Sequence, residues 1–332
     1  MASYECYGFF YNPSIYRLDP ILGWTAKPSF SKHLVQKSKL GEKYPVHHET
    51  NALGLRTYGE DTKDAIKILV IGDSFTMEPY AGNNQMWYAA FADSLKSNGF
   101  SADKNIFISA GGGGGWGTLQ ELLLLKKVQK EVNPDIFILQ FCSNDFINNH
   151  FEWEQGNITR SQKYRRPYLG FDGQVKYSDS LFSPLWRNSM LGQSKIFNQV
   201  DVLVQIIQTK IYNGYGPKYP KLIQEKFEKE SLEITTNLLN EMRTQLNGIP
   251  AYMINCSREK NGPNKYWIDL AEKTGFIPLA SASNGDVHWL EPLGSTTVPD
   301  TVHLNFRGNK IYGELVAVDF LKSYGIQPYL GR

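Results

Sequence analysis

A serine, a glycine run, an asparagine and an Asp-x-x-His pair stand at four separated places in the chain. They are Ser74 in Gly72-Asp73-Ser74-Phe75-Thr76, the five glycines 111–115, Asn144 in Cys142-Ser143-Asn144-Asp145, and the pair in Asp300-Thr301-Val302-His303-Leu304-Asn305. Gathered on one rim, they could serve as nucleophile, oxyanion donors, base and orienter. A serine hydroxyl attacks an ester carbonyl only when an adjacent base takes its proton. Histidine does this near neutral pH once a carboxylate fixes its tautomer. Asp300 and His303 are three residues apart, so one loop entering a helix can hold both. The carbonyl oxygen turns negative during attack, and losing one preorganised donor there costs roughly 10²–10³ in rate. A backbone N–H at a glycine turn and an asparagine amide are suitable donors.

Each residue also has a plainer reading. Ser74 could cap a helix after a strand-to-helix turn, and Asp73 reads as holding that turn by side-chain hydrogen bonds. The glycine run lacks the Gly-Lys-Ser/Thr ending of a phosphate loop and fits no dinucleotide fingerprint. Asn144 could be a turn residue and Asp145 a helix cap. His288, in Asp286-Val287-His288-Trp289, forms a competing Asp-x-His pair. It lies away from the closing helix, so His303 is preferred. His47 and His48 read as surface residues, and Cys142 as buried packing.

An α/β rhythm must position these residues. Short apolar runs at 66–71, 105–109, 135–141, 250–255 and 276–279 have the look of strands, several of them buried on both faces. Helical periods at 87–96, 118–131, 221–246, 265–273 and 305–324 alternate with them. In the helix at 221–246 the apolar stripe runs Ile223, Phe227, Ile234, Leu238, Met242, Leu246. The alternation implies a three-layer α/β/α domain, residues 66–332, around a five-stranded parallel sheet. Ligands of such sheets sit at the carboxyl ends of strands, where three of the four motifs fall. Residues 1–65 read as an N-terminal arm. Residues 146–220 read as an inserted cap, with a short helix at 194–210. Its aromatics Trp153, Tyr164, Tyr168, Tyr177 and Trp186 either pack the cap or line a cleft.

The chain has 332 residues, 35 Lys+Arg against 33 Asp+Glu, and a net charge of +2, which shows no nucleic-acid footprint. No apolar run reaches the roughly 18 residues of a membrane span. The opening Met1-Ala2-Ser3 leaves a signal or anchor ahead of it open. Cys6, Cys142 and Cys256 show no Cys-x-x-Cys spacing, so neither a disulfide framework nor a zinc site is expected. A single pair, such as Cys6 with Cys256, stays open.

Taken together the motifs resemble the blocks of the SGNH hydrolase superfamily, the GDSL esterases and lipases. The first block is Gly72-Asp73-Ser74-Phe75-Thr76 and the second Gly114-Gly115-Trp116-Gly117-Thr118. The third is Ser143-Asn144-Asp145 and the fifth Asp300-Thr301-Val302-His303-Leu304-Asn305. They occur in order over roughly residues 66–325, and the second departs from the usual wording because its glycines run together. The resemblance implies a flavodoxin-like sheet with Ser74 as nucleophile, His303 as general base and Asp300 as its orienting carboxylate. The oxyanion hole it implies is the Ser74 N–H, a glycine N–H and the Asn144 amide. Gly115 is the preferred glycine and Gly114 the second choice. Neither metal nor cofactor is implied.

The arm adds Ile21-Leu22-Gly23-Trp24 and Asn51-Ala52-Leu53-Gly54-Leu55-Arg56. These resemble the arm of bacterial members that are exported or membrane-tethered, or they simply pack on the core. The expected activity is hydrolysis of a small-molecule or glycan ester, with an O-acetyl group on a carbohydrate preferred. Three rivals stand beside it: a lipid or short-chain carboxylesterase, an O-acetyltransferase on a glycan, and a silent glycan-binding module. A histidine base predicts activity that rises from acid toward neutral pH.

Overall fold

A computed structural model describes residues 15–78, 80–101, 103–155, 166–170, 173–177, 196, 200, 203–204, 207, 221–256, 266–280 and 303–328. Cys6, Tyr164, Trp186, His288 and Asp300 lie outside the described residues, as does most of the helix expected at 194–210.

Five parallel strands form the centre: β6 (Ile66–Gly72), β7 (Ile106–Gly112), β8 (Ile136–Phe141), β11 (Ala251–Asn255) and β12 (Ile277–Pro278). The order across the sheet is β12-β11-β8-β6-β7, the doubly wound order the sequence implies. The sheet has a sixth member that sequence reading placed in the arm. β5 (Arg56–Tyr58) pairs antiparallel with β7, Arg56 opposite Ala110. Three residues are too short a run to show strand periodicity, so only pairing reveals it.

Strand residues alternate between two apolar layers. Leu69, Ile71, Phe137 and Leu139 face the side covered by α2 (Thr118–Val132), α5 (Lys221–Leu246) and α6 (Trp267–Lys273). Ile68, Val70, Ile136 and Ile138 face α1 (Trp87–Ser97) and α7 (Phe306–Ser323). The α5 stripe enters the core from Phe227 onward, whereas Ile223 stays exposed.

The arm packs on this frame. Its hairpins are β1 (Tyr16–Asp19) with β2 (Gly23–Ala26), and β3 (Ser31–Lys37) with β4 (Lys43–Glu49). Leu22, Trp24 and Leu55 are buried in the α2 layer. Fully buried Arg56 donates to the carbonyls of Glu78 and Ala81, tying down the chain that follows Ser74. His48 is buried rather than on the surface, because the inward residues of β4 alternate as Tyr44, Val46, His48. The region 146–220 opens with α3 (Asn144–Asn149) and α4 (Phe151–Gln155), and carries a hairpin of β9 (Pro167–Leu169) and β10 (Val175–Tyr177). Tyr168 is buried, and Trp153 is half-buried against the core, so both pack.

The glycine run has a mechanical reason. β7 continues through Gly111 and Gly112, level with the end of β6 at Gly72. A Cβ on Gly112 would collide with the Gly72 carbonyl oxygen, one residue before the Asp73-Ser74 turn. Gly112→Ala is therefore expected to cost about 1–3 kcal/mol of stability by overpacking. A thermal midpoint equal to that of the wild type would contradict this account.

Candidate active site

The order in which strands are added reverses at β6, whose parallel neighbours are β7 on one side and β8 on the other. The crevice at their carboxyl ends is the ligand position of such sheets. Ser74 follows β6 by two residues, and Asn144 follows β8 by three. His303 arrives from the far end of the chain, two residues before Asn305. Asn305 caps α7 by accepting the Arg307 and Gly308 N–H groups on its side-chain oxygen. That cap fixes where α7 begins, and so where His303 can reach.

The structure brings Ser74 and His303 together: His303 Nε2 lies 2.9 Å from Ser74 Oγ. Both are partly exposed. The Phe75 and Tyr80 rings flank the imidazole at 5.0 and 5.9 Å between centroids.

Asp73 holds the turn as expected, its Oδ1 accepting the Phe75 N–H at 3.0 Å. It is buried, and burial pushes its carboxyl up to about 6. The Phe75 N–H, the charge of His303 and hydrogen bonds from Asn144 and Ser74 pull against that rise.

Gly115 takes φ +68°, a left-handed conformation open to glycine at little steric strain. Its carbonyl accepts from Arg166 Nη2 at 2.5 Å. The Gly114 N–H donates to Tyr16 Oη at 3.2 Å, so the second-choice glycine already has a partner. Burial raises the Tyr16 phenol pKa. Asn144 Nδ2 lies 2.9 Å from Asn148 Oδ1 and 3.3 Å from the Trp116 carbonyl.

The cysteine expectation is corrected here. Cys142 is disulfide-bonded to Cys256, with Cα atoms 5.1 Å apart. Strands β8 and β11 pair in parallel with Asn255 opposite Phe141, so the residue after each stands beside the other. The missed signal was shared position: both cysteines are the first residue past a strand. Asp73, Cys142 and Cys256 are the one described set whose ligand atoms cluster tightly enough for a metal ion, and the two sulfurs there are bonded to each other. A metal needs the free thiolates.

Sequence reading also missed a buried layer of acid beneath the site. Glu121 on α2 and Asp145 on α3 are fully buried. Burial raises both well above the ordinary carboxylate range, and nearby carboxylates add to the rise. Among the described residues, neither Glu121 oxygen has a hydrogen-bond partner. A carboxyl whose folded pKa is raised costs stability above its unfolded pKa, because ionisation then favours the unfolded chain. Glu121→Gln removes that cost. Its melting temperature should match the wild type at pH 4 and exceed it at pH 8. A Glu121→Gln midpoint lower than wild type at pH 8 would show that the carboxylate is stabilising.

Comparison with known proteins gives the family. The family model described as GDSL-like lipase/acylhydrolase matches residues 68–316. A comparison with curated proteins finds no match. Among solved structures the chain is similar to TesA at 12% identity, covering 77% of this chain and 98% of that one, with a TM-score of 0.43. It is similar to Axe2, an acetylxylan esterase from Geobacillus stearothermophilus, at 14% identity, 82% and 100% coverage and a TM-score of 0.37. The acetyl xylan esterase AlAXEase gives 14% identity, 78% and 99% coverage and 0.38. With a match spanning most of its length, the chain belongs to the GDSL-like lipase/acylhydrolase family and is a hydrolase of the serine esterase class.

Proposed function

We propose that the protein removes O-acetyl groups from a carbohydrate by a two-step acyl-enzyme route with Ser74 as nucleophile. The observation that carries the reading is the 2.9 Å approach of His303 Nε2 to Ser74 Oγ, with nucleophile and base in hydrogen-bond reach. Ser74 attacks the acetyl carbonyl while His303 takes its proton. Asp300, three residues ahead, is the carboxylate that orients the imidazole. The N–H groups of Ser74 and Gly115 and the Asn144 amide receive the developing oxyanion. His303 then protonates the leaving sugar hydroxyl, and water repeats the cycle on the acyl-enzyme.

One observation supports the substrate class. Phe75 and Tyr80, beside His303, are aromatic, the residue type on which a sugar ring can stack. The Cys142–Cys256 disulfide supports an exported protein, since such bonds persist in oxidising compartments.

Wild-type protein should hydrolyse p-nitrophenyl acetate, with a rate that rises from pH 5 toward 8. Ser74→Ala and His303→Ala should each lose a factor of roughly 10³ or more. Equal background rates in all three proteins would contradict the serine mechanism. Acetate release from an acetylated polysaccharide should exceed release from p-nitrophenyl octanoate, and the opposite order would favour a lipid esterase. Consumption of an acetyl donor only when acceptor sugar is present would mark a transferase.

A further inference from the structure

We infer that Glu154 and Arg166, a buried ion pair in the region after β8, are positioning residues that hold the two loops of the oxyanion hole in register. The inference rests on the assignment of Gly115 and Asn144 as oxyanion donors.

Arg166 and Glu154 have side chains 1% and 0% exposed, with Arg166 Nε 2.9 Å from Glu154 Oε2. Arg166 Nη2 donates to the Gly115 carbonyl at 2.5 Å and Nη1 to Gln120 Oε1 at 2.7 Å. Its guanidinium lies over the Trp24 ring at 5.0 Å. One arginine thus grips the glycine loop, the first turn of α2 and the arm. On the other side, Glu154 Oε2 accepts the Tyr168 hydroxyl at 2.6 Å. Glu154 Oε1 accepts from Asn148 Nδ2 at 3.0 Å, and Asn148 Oδ1 accepts from Asn144 Nδ2 at 2.9 Å. A chain of contacts therefore runs Gly115, Arg166, Glu154, Asn148, Asn144, with an ion pair at Arg166–Glu154 and hydrogen bonds at the other links.

The polarity of that chain follows from what each group can do. An ionised carboxylate only accepts hydrogen bonds. Asn148 must then turn its NH₂ toward Glu154, which turns its oxygen toward Asn144. Asn144 must answer with its own NH₂. The Asn144 amide hydrogens face Asn148, the Trp116 carbonyl and Asp73, and the 3.3 Å Trp116 contact is one that an oxyanion can displace. Without the acid, Asn148 could flip its NH₂ toward Asn144, which would lose one acceptor and shift. The same ion pair fixes Gly115 through its carbonyl, one peptide away from the N–H assigned as donor. A buried pair of this kind contributes little net stability, because desolvation offsets attraction. The forked guanidinium is better suited to fixing geometry.

The test measures kcat and KM on p-nitrophenyl acetate for Arg166→Lys, Glu154→Gln and the double variant Glu154→Gln/Arg166→Met. Each is also made in an Asn144→Ala background and assayed well below its melting transition. The double variant buries no lone charge and serves if a single variant does not fold. The expected result is a fall in kcat of about 10- to 100-fold with KM nearly unchanged, as for small misplacements of reacting groups. In the Asn144→Ala background the further loss should shrink sharply, because both changes damage one unit. Wild-type kcat in a folded Arg166→Lys and in the double variant overturns the inference. So do losses that add in full to Asn144→Ala. In either case, loss of turnover in Ser74→Ala leaves the esterase reading standing, whereas full turnover in Ser74→Ala overturns both.

Discussion

The hydrogen bond between Ser74 and His303 joins residues 229 positions apart, and the rest of the molecule is arranged so that it can form. Neither residue reaches the other through local structure. Ser74 is delivered by the end of β6 at the centre of the sheet. His303 is delivered by the start of α7, which packs against α1 beneath the same sheet. Each element must end at one place: β6 at Gly72, where the close passage of Gly112 sets strand spacing, and α7 at Asn305, whose side chain caps two N–H groups. A shift of about one ångström at either end would take Ser74 and His303 out of hydrogen-bond range.

The surroundings of that bond are unusually rich in buried polar groups. Asp73 holds the turn from below, with the Cys142–Cys256 disulfide against it: Cys142 Sγ is 3.2 Å from Asp73 Oδ1. Glu121 and Asp145 lie deeper, pushed by burial toward their neutral forms. Arg56 and Arg166 are buried arginines among the described residues of the region. One ties down the segment after Ser74, and the other grips the glycine loop.

The parallel sheet was legible because strands buried on both faces leave continuous apolar runs, and helices leave a 3.6-residue period. The motifs stood out because a nucleophile, a base and oxyanion donors would each require a particular residue type, and the structure brings Ser74 and His303 of that set into contact. What escaped sequence reading shares one property: its meaning lies in pairing. β5 is a strand only because β7 accepts it. Cys142 and Cys256 meet only because β8 and β11 are neighbours in register. His48 is buried only because the β3–β4 hairpin alternates as it does. Arg166 stands at the end of a four-residue basic cluster, Lys163-Tyr164-Arg165-Arg166, that looks like a solvated loop. Its partner Glu154 is 12 residues back, and nothing in spacing alone separates a buried cation from an exposed one. The arm's Gly23-Trp24 and Gly54-Leu55-Arg56 were ambiguous for the same reason. In the folded chain they are packing: Trp24 and Leu55 enter the core, and Arg56 holds backbone carbonyls.

The central claim is that Ser74 is an activated nucleophile. The most direct measurement is covalent: treat the protein with a fluorophosphonate and locate the adduct by intact mass and peptide mapping. The account predicts one adduct per chain, on Ser74, that forms far more slowly in His303→Ala. A chain that stays unlabelled, or that carries its adduct on another residue, would contradict it.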